Sequence, residues 1–376
     1  MTPYPRLSRR SLLKGGVALG ATAAFGSGCA YIPSEERALV SLPKSAKAEI
    51  DGDLYYFNWA DYLDPKVIKG FQREYGVKVI QSNFDSMEGM YAKVAAGNQY
   101  DIVFPIAKWA AKMRNEGKLR AIDHGQLSNA DQVFYTGSYF NDPWYDPKSS
   151  VSVPFTIYKT GIGWRTDKID SMTGSWKDLW NTQGAKRIFT LDDQDEALAV
   201  AALLLGFDVN TAKASHLEEM KKLLINQKKY LRAYSSDDVN NMARGDAWIH
   251  HMWSGDFLYL RQGLVEHPER FNFEAPDEGT PLNSDTYAIP TNARHPGTAM
   301  VFIDYLLRPE NVKRNMNYLF YPFPTQDGAR IFAELAKDVP SCNVDVTQLE
   351  NPSVYRLLGN DEVQRRAAAW TEVKAS

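Results

Sequence analysis

Apolar and polar residues along the chain change their spacing in a regular order, first with the period of a strand and then with that of a helix. Residues 53–57 (DLYYF) form a short, nearly continuous apolar run, which predicts a buried strand. Asp64 and Pro65 then supply an N-cap and a first helical residue, and apolar residues recur at helical spacing until Gly76. These segments predict one strand followed by one helix.

The alternation of strand and helix continues for about forty more residues. Strands are predicted at 77–81 and 100–105, with a helix between Ser86 and Gly97 and another that ends near Gly117. Strands that alternate with helices at this spacing predict a parallel sheet with helices on its faces.

A second unit of the same kind follows. Asp192 is expected to cap the helix that begins at Gln194, which leaves Asp193 and Glu196 to project together. Because 376 residues are too many for one ordinary core, the two units predict two domains. Further strands are predicted at 159–165, 186–191, 246–252, 271–275 and 286–290, and further helices at 236–245, 296–307, 309–318, 326–336 and 362–373.

Large rings and carboxylates stand where predicted strands end. Open α/β sheets bind ligands beyond the carboxyl ends of their strands, so two such units facing each other would form a cleft with rings for walls. An alkyl-ammonium ligand suits such a cleft, since rings attract ammonium groups and carboxylates accept their hydrogen bonds. Each ring could instead pack in a hydrophobic core, and Asp61 could instead be a solvated surface charge. These residues are Trp59, Asp61, Tyr62, Asp193, Glu196 and Trp253.

Composition narrows the class of protein. The chain is 44% hydrophobic and 24% charged, which is typical of globular proteins. Its formal net charge of −3 gives little support to nucleic-acid binding.

The first 29 residues predict an export signal. Arg9, Arg10 and Lys14 precede a small-residue apolar run, and the sequence SRRSLLK closely resembles a twin-arginine signal, with a general secretion signal as the alternative. Cys29 resembles a lipoprotein cleavage site, although Gly26 replaces the usual leucine. With Cys29 lipidated or removed, Cys342 has no disulfide partner within the chain. Residues 30–48 read as a linker.

Other chemistries have weak signals. His250 and His251 are adjacent on a predicted strand and point to opposite faces, so they cannot easily share a metal ion. No phosphate-binding glycine loop is present. Asp192, Asp193 and Glu196 could serve a hydrolase, but the sequence positions no nucleophile or second acid. We expect neither catalysis nor a cofactor.

From about residue 53 to residue 361, the chain resembles the periplasmic spermidine/putrescine-binding proteins, the substrate-capturing subunits of ABC importers. The resemblance rests on the order of several segments, of which none is diagnostic alone. They are YYFNWADYLDP, FDSMEGMYAKVAAGNQYDIVFP, TLDDQDE, MWSG, SDTYAIP followed by LLRPENV, and YPFPT.

The resemblance implies a fold and a division of the chain. It implies an α/β, two-lobed periplasmic-binding-protein fold of type II, with hinged lobes that each contain a mixed sheet flanked by helices. Lobe 1 would comprise residues 49–154 and 286–322, and lobe 2 residues 155–285 and 323–376. The protein would act outside the cytoplasm as a monomer that delivers a polyamine to a membrane permease. A sensor that passes its ligand-loaded form to a signalling partner is the alternative.

The resemblance also implies a role for each site residue. Trp59 and Tyr62 would contact the ligand from lobe 1, and Asp61 falls at an acidic or small polar contact. Asp193 and Glu196 would accept ammonium groups from lobe 2, with Trp253 as a stacking wall. Asp285 would be the central acid, with Tyr321 closing the site.

Four positions depart from the pattern of that family. Ile106 and Lys108 replace a hydroxyl residue and an aromatic, Asn283 replaces a stacking tryptophan, and Gly359 replaces a glutamine. The Lys108 ammonium could point to solvent. It could instead pair with Asp193 or Asp61 and fill one ammonium position, or it could bind a carboxylate of a zwitterionic amine such as an ω-amino acid.

Overall fold

The computed structural model describes residues 42–134, 143–344 and 353–376. The predicted export signal, with Cys29, and most of the predicted linker lie outside this part of the chain. None of the described helices is both long enough and apolar enough to cross a membrane. Cys342 is buried and carries a free thiol.

Strands and helices alternate through most of the described chain. The strands are β1 (Leu54–Trp59), β2 (Val79–Phe84), β3 (Ile102–Val103), β4 (Ser152–Arg165), β5 (Ile188–Thr190), β6 (Leu231–Tyr234), β7 (Ile249–Trp253), β8 (Phe271–Glu274) and β9 (Leu282–Ala288). The α-helices are α1 (Pro65–Tyr75), α2 (Met87–Ala95), α3 (Ala107–Asn115), α4 (Asp131–Phe134), α5 (Gln194–Leu204), α6 (Ala214–Gln227), α7 (Asp238–Ala243), α8 (Ser254–Tyr259), α9 (Pro296–Leu306), α10 (Pro309–Leu319), α11 (Gln326–Leu335) and α12 (Asn360–Ala375).

Local capping chemistry sets the helix ends that the sequence predicted. The Asp64 carboxylate accepts a hydrogen bond from the Lys66 N–H at 2.8 Å, and Pro65 is the first residue of α1. Gly76 ends α1 with a φ of 68°, a conformation that glycine adopts without strain. Ser86 caps α2 in the same manner as Asp64 caps α1.

The strands form two regions joined through β4. In the first region, β1 lies between β2 and β3 in parallel, and β9 pairs antiparallel with β3 and with residues 152–159 of β4. In the second region, β5 lies parallel between β6 and β7, while β7 and β8 pair antiparallel with the remainder of β4. The predicted strand–helix order and mixed sheet are confirmed, because β1, β2 and β3 pair in parallel whereas β4 and β9 run antiparallel to their neighbours.

The 14-residue strand β4 is longer than predicted. The sequence analysis placed a strand only at 159–165, and the preceding half of β4, which contains Pro154, was missed. The structure accommodates Pro154 next to a break in register between Pro154 and Thr156, where β4 pairs with β9. The sequence also placed β9 too far along the chain, and it missed α6 and β6. The boundaries of the two proposed lobes stay a prediction.

The C-terminal helix covers one side of the second region. Ala369 and Val373 of α12 are buried against Leu198 of α5 and Met220 of α6. This packing brings the side chain of Arg366, also on α12, next to the first turn of α5.

A buried carboxylate fixes the entry of the chain into β4. Asp146 is fully buried and accepts hydrogen bonds from the N–H groups of Val151 and Ser152, both at 2.9 Å, and from the Ser152 hydroxyl at 2.7 Å. We predict that Asp146→Asn lowers the free energy of unfolding by about 2 kcal/mol, because an amide NH₂ would face donors that have lost their acceptor. Urea denaturation measures this change.

The matched control is the exposed Asp85→Asn, which should alter the unfolding free energy by less than about 0.5 kcal/mol. Equal stability of the two variants would contradict the assigned role of Asp146.

Candidate functional site

Asp285 lies at the centre of a buried hydroxyl network in the first region. It is 1% exposed and stands opposite Thr156 across the β4–β9 pairing. The Thr156 hydroxyl donates to Asp285 Oδ2 at 2.7 Å, and the Tyr62 hydroxyl donates to the same oxygen. Tyr62 reaches this position from the loop that follows β1, as the strand-end argument predicted. The two donors stabilise a buried carboxylate.

Tyr321 connects this network to the second region. Its ring makes edge contacts with Tyr62, at 6.3 Å between centroids, and with Tyr158 of β4, at 5.4 Å. Its hydroxyl donates to Asp256 Oδ1 at 2.7 Å. A Cβ atom on Gly255 would lie 2.4 Å from the Tyr321 ring, so only glycine allows the ring to pack this closely on α8.

A second carboxyl group lies behind Asp256. Asp238 is fully buried, and the backbone N–H groups of Val239 and Trp253 donate to its oxygens at 2.8 and 3.4 Å. Burial raises the pKa of Asp238 well above its usual range, the charge of Asp256 adds to this, and the backbone donors only partly oppose it. Trp253 itself ends β7 and is 9% exposed.

Glu196 forms the corresponding network in the second region. It is 4% exposed, and the Thr160 hydroxyl donates to its Oε2 at 2.8 Å. His251 Nε2 lies 3.5 Å from the same oxygen. Thr160 stands opposite Trp253 in the β4–β7 pairing, so the Glu196 carboxylate lies close to the end of β7.

The sequence analysis placed the N-cap of α5 at Asp192, one residue too early. Asp193, not Asp192, is the N-cap, since its carboxylate accepts from the N–H groups of Asp195 and Glu196 at 2.9 and 3.3 Å. Asp192 turns outward and forms an ion pair with Lys374 at 2.6 Å. Asp193 therefore has a structural role that the sequence did not assign to it.

Trp59 and Asp61 occupy different environments after β1. Trp59 is 8% exposed and packs on Phe84, with ring centroids 4.6 Å apart. Asp61 is exposed, has a left-handed φ of 53°, and makes no side-chain hydrogen bond or ion pair with the part of the chain that the structure describes. Of the residues predicted in this loop, the structure brings only Tyr62 into the Asp285 network.

Lys108 does not point to solvent. Its side chain is 26% exposed and its ammonium pairs with Asp195 Oδ2. Pairing with a carboxylate was one of the open possibilities, but Asp193 or Asp61 was the expected partner. The structure places Asp195, between Asp193 and Glu196 in sequence, in that position instead.

The adjacent histidines of β7 do not form a metal site. His250 Nδ1 contacts the backbone oxygen of His251 at 2.7 Å, and burial lowers the pKa of His250 to about 3. Across residues 42–134, 143–344 and 353–376, no group of three or more potential ligands is arranged to hold a metal ion.

Sequence reasoning missed four residues of these networks. Asp256 follows Trp253 in the segment WSGDF, so the strand-end argument that selected Trp253 could have selected it too. Thr156 and Thr160 could not be recognised, because their significance depends on the full length of β4. Asp238 gave no signal beyond its position near a predicted helix start.

We predict that Asp238 makes stability fall as pH rises. The unfolded pKa is about 3.9 and the folded pKa is higher. Between these values the folded state binds more protons, so the free energy of unfolding decreases with pH. Asp238→Asn removes this contribution and should flatten the decrease from pH 4 upward, as measured by urea denaturation at several pH values. Parallel profiles for the two proteins would contradict the assignment.

Comparison with known proteins agrees with this architecture. Residues 66–361 match the model of the bacterial extracellular solute-binding protein family. The spermidine/putrescine-binding periplasmic protein of Salmonella typhimurium is 33% identical over 309 residues, which cover 80% of this chain and 86% of that protein.

Solved structures give the same result. The spermidine/putrescine ABC transporter substrate-binding protein PotD of Streptococcus pneumoniae superposes with a TM-score of 0.75 at 25% identity, covering 86% of this chain and 99% of that one. The TpPotD lipoprotein of Treponema pallidum gives a TM-score of 0.76 at 25% identity, covering 85% and 99%. The predicted resemblance and the periplasmic-binding-protein fold are thereby confirmed, and the chain belongs to the bacterial extracellular solute-binding protein family.

Proposed function

We propose that the protein captures a polyamine of the putrescine or spermidine type outside the cytoplasm and delivers it to an ABC permease. One observation carries this proposal. The carboxylates of Asp285 and Glu196 are each held by a threonine hydroxyl on the same strand, β4, where Tyr158 lies between the two threonines and contacts the Tyr321 ring.

The chemistry of this arrangement suits an alkyl chain with an ammonium group at each end. Buried carboxylates form strong, charge-assisted hydrogen bonds with ammonium groups. The rings of Trp253 and Tyr321 offer apolar faces to the methylenes, and each ring that an ammonium approaches contributes about 0.5–2 kcal/mol. The residues that would bind are Tyr62, Glu196, Trp253, Asp256, Asp285 and Tyr321, with Trp59, Asp61 and Asp193 at the positions that the family resemblance implies.

The named relatives support the same class of ligand and of partner. The Salmonella typhimurium protein is named for spermidine and putrescine, and the Streptococcus pneumoniae protein for an ABC transporter. By extension, this protein would act as a monomer that meets a permease in the cytoplasmic membrane.

The export route is part of the proposal. The twin-arginine pattern at residues 8–14 would direct the folded protein out of the cytoplasm, and Cys29 would carry a lipid anchor. The Treponema pallidum neighbour is itself a lipoprotein, which is compatible with that anchor.

Lys108 gives no support to a zwitterionic ligand. Such a ligand would need a free cation for its carboxylate, and the Lys108 ammonium is already held by Asp195. The polyamine is therefore the ligand class that the contacts favour.

We predict that the purified mature protein binds at least one of putrescine and spermidine saturably in calorimetric titrations. Asp285→Asn and Glu196→Gln should each weaken binding by about 10- to 100-fold, because a hydrogen bond to a charged group contributes about 1.5–3 kcal/mol.

Asp192→Asn is the matched control for Glu196→Gln, since Asp192 lies beside the same helix but faces Lys374. It should leave the dissociation constant unchanged. Binding of 4-aminobutyrate without binding of either polyamine would show that the proposed ligand class is wrong.

A further inference from the structure

Lys108 stands where helix electrostatics disfavour a cation. It is the second residue of α3, and no acidic residue occupies the first turn of that helix. The N-terminus of a helix carries a partial positive charge, so an ammonium there is destabilised unless an anion from elsewhere compensates it. In this structure that anion comes from Asp195 on α5, 87 residues away in sequence.

The backbone beside Lys108 belongs to the candidate site. Ile106, two residues earlier, forms a β-bridge with Asp285, and the Thr286 N–H donates to the Pro105 oxygen at 2.9 Å. Asp195 immediately precedes Glu196. The Lys108–Asp195 pair therefore joins the Asp285 side of the site to the Glu196 side.

The carboxylate of Asp195 also contacts a buried arginine, Arg366. Arg366 Nη2 lies 3.4 Å from Asp195 Oδ1, while its Nη1 donates to the Val209 and Thr211 oxygens at 3.0 and 2.9 Å. Burial opposes ionisation of Asp195, but the charges of Lys108 and Arg366 outweigh it and lower the pKa of Asp195. Burial likewise opposes the charge of Lys108, and Asp195 outweighs it so that the pKa of Lys108 is raised.

We propose that Lys108 is a specificity-determining residue whose ammonium, already seated at the acidic start of α5, restricts the site to a short diamine and excludes the additional ammonium of spermidine. This inference rests on the proposed capture of a polyamine. The protein's own cation occupies Asp195, and it repels any further ammonium that approaches Asp193 or Asp195.

The contacts distinguish Asp195 from the other carboxylates of the site. Hydroxyl groups donate to Asp285, Asp256 and Glu196, whereas Asp195 faces one ammonium and one guanidinium. The Asp285 and Glu196 carboxylates are thus arranged to receive the ammonium groups of a diamine, whereas the Asp195 position is filled from within the chain.

The test is the ratio of the dissociation constants for spermidine and putrescine, measured by calorimetry on the purified mature protein. The wild type should prefer putrescine. Lys108→Met keeps the length of the side chain, removes its charge and leaves Asp195 to a ligand, so the ratio should fall by about tenfold or more. Lys108→Arg keeps the charge and should keep the wild-type ratio.

Lys112→Met is the matched control. Lys112 lies one turn further along α3 and pairs with Glu116 of the same segment at 2.5 Å. It should leave both dissociation constants unchanged, and thermal melting of each variant verifies that it is folded.

The outcomes separate the two proposals. An unchanged ratio in Lys108→Met, whether or not both affinities fall together, would overturn the specificity role while leaving polyamine capture intact. A wild-type preference for spermidine would overturn it as well. If the folded wild type and every variant bind neither amine, the proposed function fails and this inference fails with it.

Discussion

One face of β4 determines the geometry of the site. Alternate residues of a strand point to the same side, so Thr156, Tyr158 and Thr160 form a row with about 6.7 Å between neighbours. The first holds Asp285, the second packs against Tyr321 and the third holds Glu196. A one-residue slip of β4 would turn all three away, so the register of this strand fixes the distance between the two carboxylates.

Placing several carboxylates close together in a buried site costs free energy through desolvation and mutual repulsion, and the structure limits this cost in three ways. Hydroxyl donors stabilise Asp285, Asp256 and Glu196 without supplying a charge. Burial raises the pKa of Asp238 and so favours its neutral form relative to an exposed carboxyl group. At Asp195 the chain supplies its own cations. A cationic ligand would relieve the remaining cost, and since the carboxylates come from both sheet regions, binding would stabilise the arrangement in which the two regions meet.

The parts of the fold that depend on local chemistry were predictable from the sequence. Asp64 with Pro65 gave the start of α1, Ser86 that of α2, and the strand-end rule found Tyr62 and Trp253. The errors arose where distant contacts decide. The first half of β4, with its register break after Pro154, was missed, and Asp192 pairs with Lys374 on α12 while Asp193 caps α5. The ion-pair partner of Lys108 could likewise not be predicted, because nothing in the sequence indicates that α3 and the first turn of α5 are in contact.

A crystal structure of the mature protein grown with putrescine tests the central claim most directly. We expect the diamine to lie over Tyr158 of β4, with one nitrogen within hydrogen-bond distance of Asp285 and the other near Glu196, and Lys108 to remain paired with Asp195. A diamine bound elsewhere, or one whose nitrogens contact neither carboxylate, would contradict it.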